Sequence, residues 1–142
     1  MRLQSAVFVL EDTLPQHPDA GKVLSILKME GVWMYAVTDL PRGEAEALLR
    51  SLELADCFRG VLTAREALCS ASDARMYEKA MRRLRSTARD TAVFLGRLDA
   101  LRSAKAAGLR TVAVRGSQSD ADWDAMRAEA EEVVESFSDF LE

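Results

Sequence analysis

The sequence has few of the residues from which disulfide frameworks and metal centres are built. Two of its 142 residues are cysteines and one is a histidine. Cys57 and Cys69 show neither a CxxC pattern nor a Cys/His spacing typical of metal sites, and such thiols usually behave as small apolar residues. We therefore expect neither a disulfide nor a metal held by cysteine.

Long hydrophobic runs and a surplus of positive charge are also missing. The first apolar run is short and lacks a small-residue cleavage site, so it predicts neither a signal peptide nor a membrane span. The net charge is −4, and the 19 lysines and arginines are scattered along the chain rather than along one face. The composition therefore predicts a cytoplasmic protein with no nucleic-acid or membrane partner.

The chain does have enough apolar side chains for one core. With 142 residues, 49% of them apolar, it can bury a core without disulfides or metals. The sequence contains no linker, repeat or low-complexity tract. We expect a single domain over residues 1–142.

Short β-rich runs alternate with segments of helical spacing. The apolar runs predict strands over 5–10, 32–38, 60–64, 91–96 and 110–114. A first helix is predicted to open with Pro18 and Asp19, as first-turn and capping residues, and to end at Gly31. Further helices are predicted over 41–52, 72–85, 99–108 and, at the end of the chain, 123–137. This alternation predicts an α/β fold, a doubly wound and mainly parallel sheet with helices on both faces.

Four segments, in order, resemble the haloacid dehalogenase superfamily, in its branch of phosphoglycolate phosphatase and β-phosphoglucomutase. "AVFVLEDTLP" is similar to the superfamily's strand followed by Asp-x-Asp-Gly-Thr-Leu, and "GVWMYAVTDLPR" to its strand ending in Thr or Ser. "SDARMYEKAMRRL" resembles the helix after its lysine, and "AVFLGRLDALRSAKAAGLRTVAV" its Gly-Asp motif. The resemblance implies a three-layer Rossmann-like core in which the strand over 5–10 lies between those over 32–38 and 91–95.

The first motif carries the superfamily's aspartate nucleophile and its general acid and base. The resemblance places these roles at Val9 and Glu11, and it places Asp12 where the superfamily has glycine. Valine has no lone pair with which to attack phosphorus, so no aspartyl-phosphate can form there. Thr13 and Leu14 match the motif.

The other motifs match only in part. Thr38 matches the second motif, and its hydroxyl could donate to a phosphate oxygen. At the third motif, the position of the superfamily's lysine falls near Ala71, where this sequence has no lysine. Arg97 stands where a magnesium-binding aspartate is expected, and the shortened spacing to Gly108 displaces Asp99. Because a guanidinium reverses the charge of a ligand position, we expect neither bound Mg²⁺ nor any other metal.

The segment after Leu14 bears on how the site is covered. Many members of the superfamily insert a helical cap there, whereas this chain reaches its next helix near Pro18. We therefore expect a core without a cap domain.

The sequence leaves three functions open. The first is a pseudoenzyme with a binding or regulatory role toward an unknown small molecule or protein. The second is a phosphomonoester hydrolase that uses Glu11 or Asp12 as its nucleophile, and the third is a protein-interaction scaffold. The candidate ligand-binding residues are Glu11, Asp12, Thr13, Thr38, Asp39, Arg97 and Asp99.

Structural roles compete with these functional ones. Thr13 and Thr38 could bond backbone groups, and the carboxylates could simply be solvated. His17 is expected to be exposed. We further expect the Arg97 guanidinium to take the place of a metal and to pair with Glu11, with Asp12 as a second acceptor.

Overall fold

The protein forms one six-stranded parallel sheet. A computed structural model describes residues 3–141, with side chains as far as Asp139. The strands are β1 (Ser5–Val9), β2 (Trp33–Thr38), β3 (Val61–Thr63), β4 (Thr91–Leu95), β5 (Arg110–Val114) and β6 (Glu132–Val134). Their order is β3-β2-β1-β4-β5-β6, and every neighbouring pair is parallel. This confirms the predicted doubly wound α/β fold.

Helices cover both faces of the sheet. They are α1 (Leu10–Thr13), α2 (Ala20–Met29), α3 (Arg42–Ser51), α4 (Ala64–Ala67), α5 (Ala74–Leu84), α6 (Leu98–Ala106) and α7 (Asp120–Glu129). One core cluster joins α2 and α3 to the sheet, and the other joins α4, α5, α6 and α7 to the opposite face. The three layers follow from β1, whose five residues are all buried and therefore need cover on both sides.

The register sets which motifs meet. Phe8 of β1 lies opposite Ala36 of β2 on one side and Phe94 of β4 on the other. The first strand is therefore central, as the resemblance implied. Because carboxyl ends of parallel strands lie at one edge of the sheet, the residues after β1, β2 and β4 come together.

Two predictions at the first strand and the first long helix need correction. Leu10 begins α1 instead of ending β1. The first long helix begins at Ala20 with Asp19 at its N-cap position, as predicted, but the Asp19 side chain makes no capping hydrogen bond. Its carboxylate instead accepts hydrogen bonds from Ser136 and from the Ser138 backbone.

The predicted terminal helix over 123–137 is also wrong in its second half. Helix α7 ends at Glu129, and Ala130 is already extended. The following residues form β6 beside β5, with Val134 buried and Val133 39% exposed, which is the alternation of an edge strand. The Thr111 side-chain oxygen accepts the Glu131 backbone N–H at 3.2 Å and so holds the residues before β6 beside β5.

Positive charge is less evenly scattered than the sequence suggested. Helix α5 carries Arg75, Lys79, Arg82 and Arg83 within three turns. No helix within residues 3–141 has the length and apolar character needed to cross a membrane.

Candidate functional site

The candidate site lies at the carboxyl edge of the sheet, around the single turn of helix that follows β1. Because α1 begins directly after Val9, Glu11 and Asp12 leave the strand in different directions. Glu11 turns toward the end of β2, and Asp12 turns toward the end of β4. The turn thus divides two adjacent carboxylates between two neighbouring strands.

Val9 and Thr13 are both fully buried. The Thr13 hydroxyl donates a 2.9 Å hydrogen bond to the Val9 carbonyl and so closes the turn. Val9 itself packs in the core cluster with Val37 and Leu95. The position that the resemblance assigns to the nucleophile therefore holds a core side chain, and the matching threonine has a backbone partner.

Glu11 is held against the end of β2. Thr38 donates its hydroxyl hydrogen to Glu11 Oε1 at 2.8 Å, and the Asp39 backbone N–H donates to Oε2 at 2.9 Å. Thr38 Oγ1 in turn accepts the Leu40 N–H at 3.0 Å. The Thr38 hydroxyl hydrogen is thus already bonded to Glu11 and is not free to bond a phosphate oxygen.

Arg97 lies between two aspartates. Its Nε is 2.6 Å from Asp12 Oδ2, and its Nη2 is 3.1 Å from Asp39 Oδ2. These contacting atoms of Asp12 and Arg97 are shielded from solvent, although the angles at the guanidinium depart from hydrogen-bond geometry. Opposite charges therefore lie in direct contact at this point.

The expected partner of Arg97 is wrong in one respect. Asp12 forms an ion pair with Arg97, as expected, but Glu11 does not, and Asp39 takes its place. The reason is local, because Thr38 and the Asp39 backbone already bind both oxygens of Glu11. Asp39 was expected only as one member of the ligand-binding set.

Ala71 meets this cluster through its backbone. Its N–H donates to Asp39 Oδ1 at 3.0 Å, and its carbonyl accepts the Tyr77 hydroxyl at 2.6 Å. Lys79, on the same helix as Tyr77, donates to the Ala67 carbonyl instead. The buried Tyr77 thus orients the segment that contains Ala71. Tyr77 falls on the apolar face of the helical pattern in the sequence, and that signal could have suggested this role.

Asp99 lies apart from the contacts made by Arg97. Its carboxylate accepts the Ser72 hydroxyl at 2.7 Å and the Ala100 backbone N–H at 2.7 Å, at the start of α6. Ser103 donates to the Ser72 carbonyl and ties the same loop to α6. Asp99 therefore joins two loops, while Glu11, Asp12, Thr38, Asp39 and Arg97 form the central cluster.

His17 is half-buried rather than exposed. Its Nε2 lies 2.5 Å from the Arg115 carbonyl, and because a carbonyl only accepts, this nitrogen must carry the proton. The ring also packs edge-on against Phe137. These contacts give His17 a structural role.

Burial and charge oppose each other at Asp12. Burial raises the pKa of Asp12, and the Arg97 guanidinium lowers it by less, so the net direction is upward. For Arg97, burial lowers the pKa, but Asp12 and Asp39 outweigh it and the net direction is again upward. Burial also raises the pKa of the Tyr77 hydroxyl.

Gly96 allows the end of β4 to approach α1 closely. A Cβ at this position would lie 2.6 Å from the Asp12 carbonyl oxygen, well inside contact distance. The Gly96 carbonyl accepts the Gln118 side-chain amide at 3.2 Å. Because Arg97 follows directly, this close approach brings its guanidinium to Asp12.

The cluster does not fit a magnesium ion. Mg²⁺ requires several oxygen ligands in octahedral geometry, whereas Val9 offers none and Arg97 stands between two of the carboxylates. Within residues 3–141, no group of three or more His, Cys, Asp or Glu side chains could hold a metal. Three carboxylates against one guanidinium also leave a net negative charge, which repels a phosphate.

An open cleft borders the cluster. It has a volume of about 680 Å³ and lies between the start of α6 and the segment that leads into α7. Polar side chains that line it are Asp12, Ser72, Arg97, Asp99, Arg102, Ser103, Ser117, Gln118 and Asp122. The cleft offers a place for a polar molecule beside the cluster.

The sequence matches one known family profile. Residues 3–108 match the haloacid dehalogenase-like hydrolases. No curated protein matches the sequence.

Solved structures of this group share the fold. A protein from Haemophilus somnus 129pt, described as a predicted phosphoglycolate phosphatase, has a TM-score of 0.79 at 15% identity, over 88% of this chain and 55% of that one. A Thermotoga maritima protein assigned to β-phosphoglucomutase has a TM-score of 0.74 at 24% identity, over 83% and 55%. This chain therefore spans about half the length of these two proteins.

A third structure comprises a core domain only. It comes from a Streptococcus pneumoniae TIGR4 protein assigned to phosphoglycolate phosphatase and has a TM-score of 0.74 at 16% identity. The match covers 99% of this chain and 94% of that domain. The residues that the structure describes thus correspond to a core domain and include no cap domain.

Proposed function

The chain belongs to the haloacid dehalogenase-like hydrolase family, and on that premise we propose that it is a non-catalytic member with a binding or regulatory role. One observation carries the proposal: Val9, to which the resemblance assigns the nucleophile position, is buried, and Arg97, to which it assigns a metal-ligand position, is held in a salt bridge. Fold and function separate readily in such families, because the chemistry depends on a few side chains.

The size of the catalytic loss supports this proposal. Removing one essential group from a catalytic unit typically costs a factor of about 10⁴ to 10⁶ in rate. By the resemblance, the nucleophile, the lysine and a metal-ligand aspartate are all replaced here, at Val9, near Ala71 and at Arg97. Because such groups act as a unit, retaining Glu11 does not preserve part of the rate.

An active phosphomonoester hydrolase is the alternative. It would need Glu11 or Asp12 as nucleophile, and Asp12 would have to leave the Arg97 guanidinium, 2.6 Å away, before it could attack. Glu11 would have to leave Thr38 and the Asp39 backbone before it could attack. Both requirements make this alternative the weaker one.

Hydrolysis of p-nitrophenyl phosphate with millimolar Mg²⁺ tests the proposal. We expect no turnover above that of a matched preparation of Glu11→Ala or Asp12→Ala. Glu78→Ala, an exposed carboxylate on α5, controls for loss of a negative charge. Turnover that Glu11→Ala or Asp12→Ala abolishes and Glu78→Ala retains would establish the hydrolase instead.

We propose further that the site works without a metal and that the protein acts in the cytoplasm. The Arg97 guanidinium supplies the local positive charge that a cation would otherwise provide. Isothermal titration with Mg²⁺ should therefore show no saturable binding, and Val9→Asp alone should not create it. Saturable binding to the unaltered protein would contradict the metal-free site.

The bound molecule is proposed to be a small molecule or a protein that enters the cleft beside Arg97. The serine and glutamine side chains there suit polar groups without strong negative charge. A protein-interaction scaffold remains a second form of the same proposal, since the described core carries no cap over this edge.

A further inference from the structure

The outer side of α4 and α5 carries positive charge without matching negative charge. From Arg75 to Arg89 the sequence holds six arginines or lysines and one glutamate, although the whole chain has a net charge of −4. Only Arg75 forms an ion pair in this segment of the described structure, with Asp73. The other cations therefore remain available to a partner.

These cations border a groove. It has a volume of about 410 Å³, and it is lined by Leu62, Glu66, Ala67, Lys79, Arg82 and Arg83. Glu66 cannot neutralise the groove, because Arg42 already binds both of its oxygens at 2.6 and 2.7 Å. The groove thus presents three cations around a short apolar floor.

The cations differ in how firmly they are placed. Lys79 donates to the Ala67 carbonyl and Arg83 donates to the Tyr35 hydroxyl at 3.1 Å, so both stems are oriented by the protein. The Arg82 side chain is exposed and forms no hydrogen bond or ion pair with any group of the described chain. Two oriented cations and one free one suit an extended anionic partner better than a single ion.

An exposed leucine adjoins the groove. Leu68 follows Ala67, is 83% exposed, and has a left-handed backbone with a φ of 60°. A leucine in this conformation is uncommon, and here its side chain points outward with no core to join. This exposed apolar side chain therefore directly follows a residue that lines the cationic groove.

We propose that this surface, Leu68 with Lys79, Arg82 and Arg83, docks an acidic polypeptide segment that carries an apolar side chain. The cations complement acidic residues, and Leu68 complements the apolar one. Nucleic acid is the less suitable polyanion, because no aromatic ring is exposed on the described α4 and α5 for a base to stack on. The inference does not depend on whether the Arg97 site is catalytic.

A labelled peptide titration tests this docking. The probe is a fluorescein-labelled peptide of glutamate and leucine, followed by fluorescence anisotropy at low salt. Matched peptides replace every glutamate by glutamine, or every leucine by serine. We expect the Glu/Leu peptide to bind most tightly, the serine peptide more weakly, and the glutamine peptide not measurably.

Variants of the protein locate the site. Arg82→Glu should weaken the Glu/Leu peptide about five- to tenfold, because it reverses a charge that has no internal partner. Leu68→Ser should weaken the Glu/Leu peptide but leave the serine peptide unchanged. Arg127→Glu, an exposed reversal on α7, is the matched control and should have a much smaller effect.

Several results would overturn the proposal. Equal weakening by Arg127→Glu would mean a response to net charge alone. A thymidine oligonucleotide that binds more tightly than the peptide, with the same loss in Arg82→Glu, would assign the surface to nucleic acid. Circular dichroism of each variant excludes loss of folding, and phosphatase assays of the same variants report separately on the proposed function.

Discussion

Arg97 and Arg110 lie at opposite edges of the same sheet, and they differ in side-chain exposure and in the distances to their carboxylate partners. Arg97 follows β4 at the carboxyl edge, is 32% exposed, and has carboxylate oxygens at 2.6 and 3.1 Å. Arg110 begins β5 at the amino edge, is 18% exposed, and has its nearest carboxylates at 3.6 and 4.0 Å. The more buried guanidinium thus has the poorer partners.

The difference lies in what holds the carboxylates. Asp39 is fixed by the Ala71 backbone, and Asp12 is fixed by the α1 turn. Glu131 and Glu132, which face Arg110, lie in or beside the edge strand β6, and more than half of each side chain is exposed. Short ion pairs therefore form where other contacts have already ordered both partners, since that ordering lowers the entropy lost on pairing.

The largest expected effect of this contrast is at Arg97. Arg97→Ala should lower the free energy of unfolding by about 1 to 3 kcal/mol, because it leaves Asp12 and Asp39 partly buried without their counter-charge. Urea denaturation measures the loss, and Arg102→Ala, an exposed arginine paired with Glu129, serves as control. A loss no greater than that of Arg102→Ala would show that the pairing contributes little.

Chemical rescue sharpens the same prediction. Millimolar methylguanidinium should restore part of the thermal stability of Arg97→Gly, since it can enter the space left between the two aspartates. It should have no such effect on Arg110→Gly. Equal stabilisation of both variants would indicate a general solvent effect.

A smaller effect is the coupling energy of individual pairs. Double-mutant cycles of Arg97→Met with Asp12→Asn or Asp39→Asn should each give about 1 kcal/mol, because the charges are in contact. The cycle with Glu11→Gln should give a value near zero, because Thr38 and the Asp39 backbone bind Glu11. A larger coupling to Glu11 than to Asp12 would contradict the described geometry.

The pH dependence of Asp12 gives a further, smaller test. Because its pKa is raised in the folded state, the folded protein binds the proton more tightly than the unfolded chain does. The Asp12 contribution to stability is therefore fully present below its ordinary pKa and is lost as the pH rises through the raised value. Wild type should lose stability relative to Asp12→Asn over that interval in urea titrations, and parallel curves would refute it.

The smallest effect is expected at Arg110. Arg110→Met keeps the apolar stem and removes a guanidinium whose Nε and Nη1 lack hydrogen-bond partners in the described structure. The free energy of unfolding should therefore change by less than about 1 kcal/mol, in either direction. Denaturation alongside Arg97→Met checks this, and a loss at Arg110 equal to that at Arg97 would remove the contrast.

Sequence reasoning predicted the strands well, because β1, β2 and β4 are short buried runs bounded by turn residues. It failed at β6, where "EVV" continues a helical spacing and only pairing with β5 makes it a strand. Five of the seven candidate residues, Glu11, Asp12, Thr38, Asp39 and Arg97, lie together at the carboxyl edge of the sheet. The sequence nevertheless assigned Glu11 to Arg97, since the single turn α1, which directs Glu11 and Asp12 to different strands, leaves no periodic signal. Tertiary contacts decided both outcomes.

The two edge strands of the sheet, β3 and β6, are each only three residues long. A strand from another molecule could pair with only about three residues of either edge strand, too few for a stable addition. Glu132 adds a charge at one of these edges. The short edges therefore protect this parallel sheet against edge-to-edge aggregation.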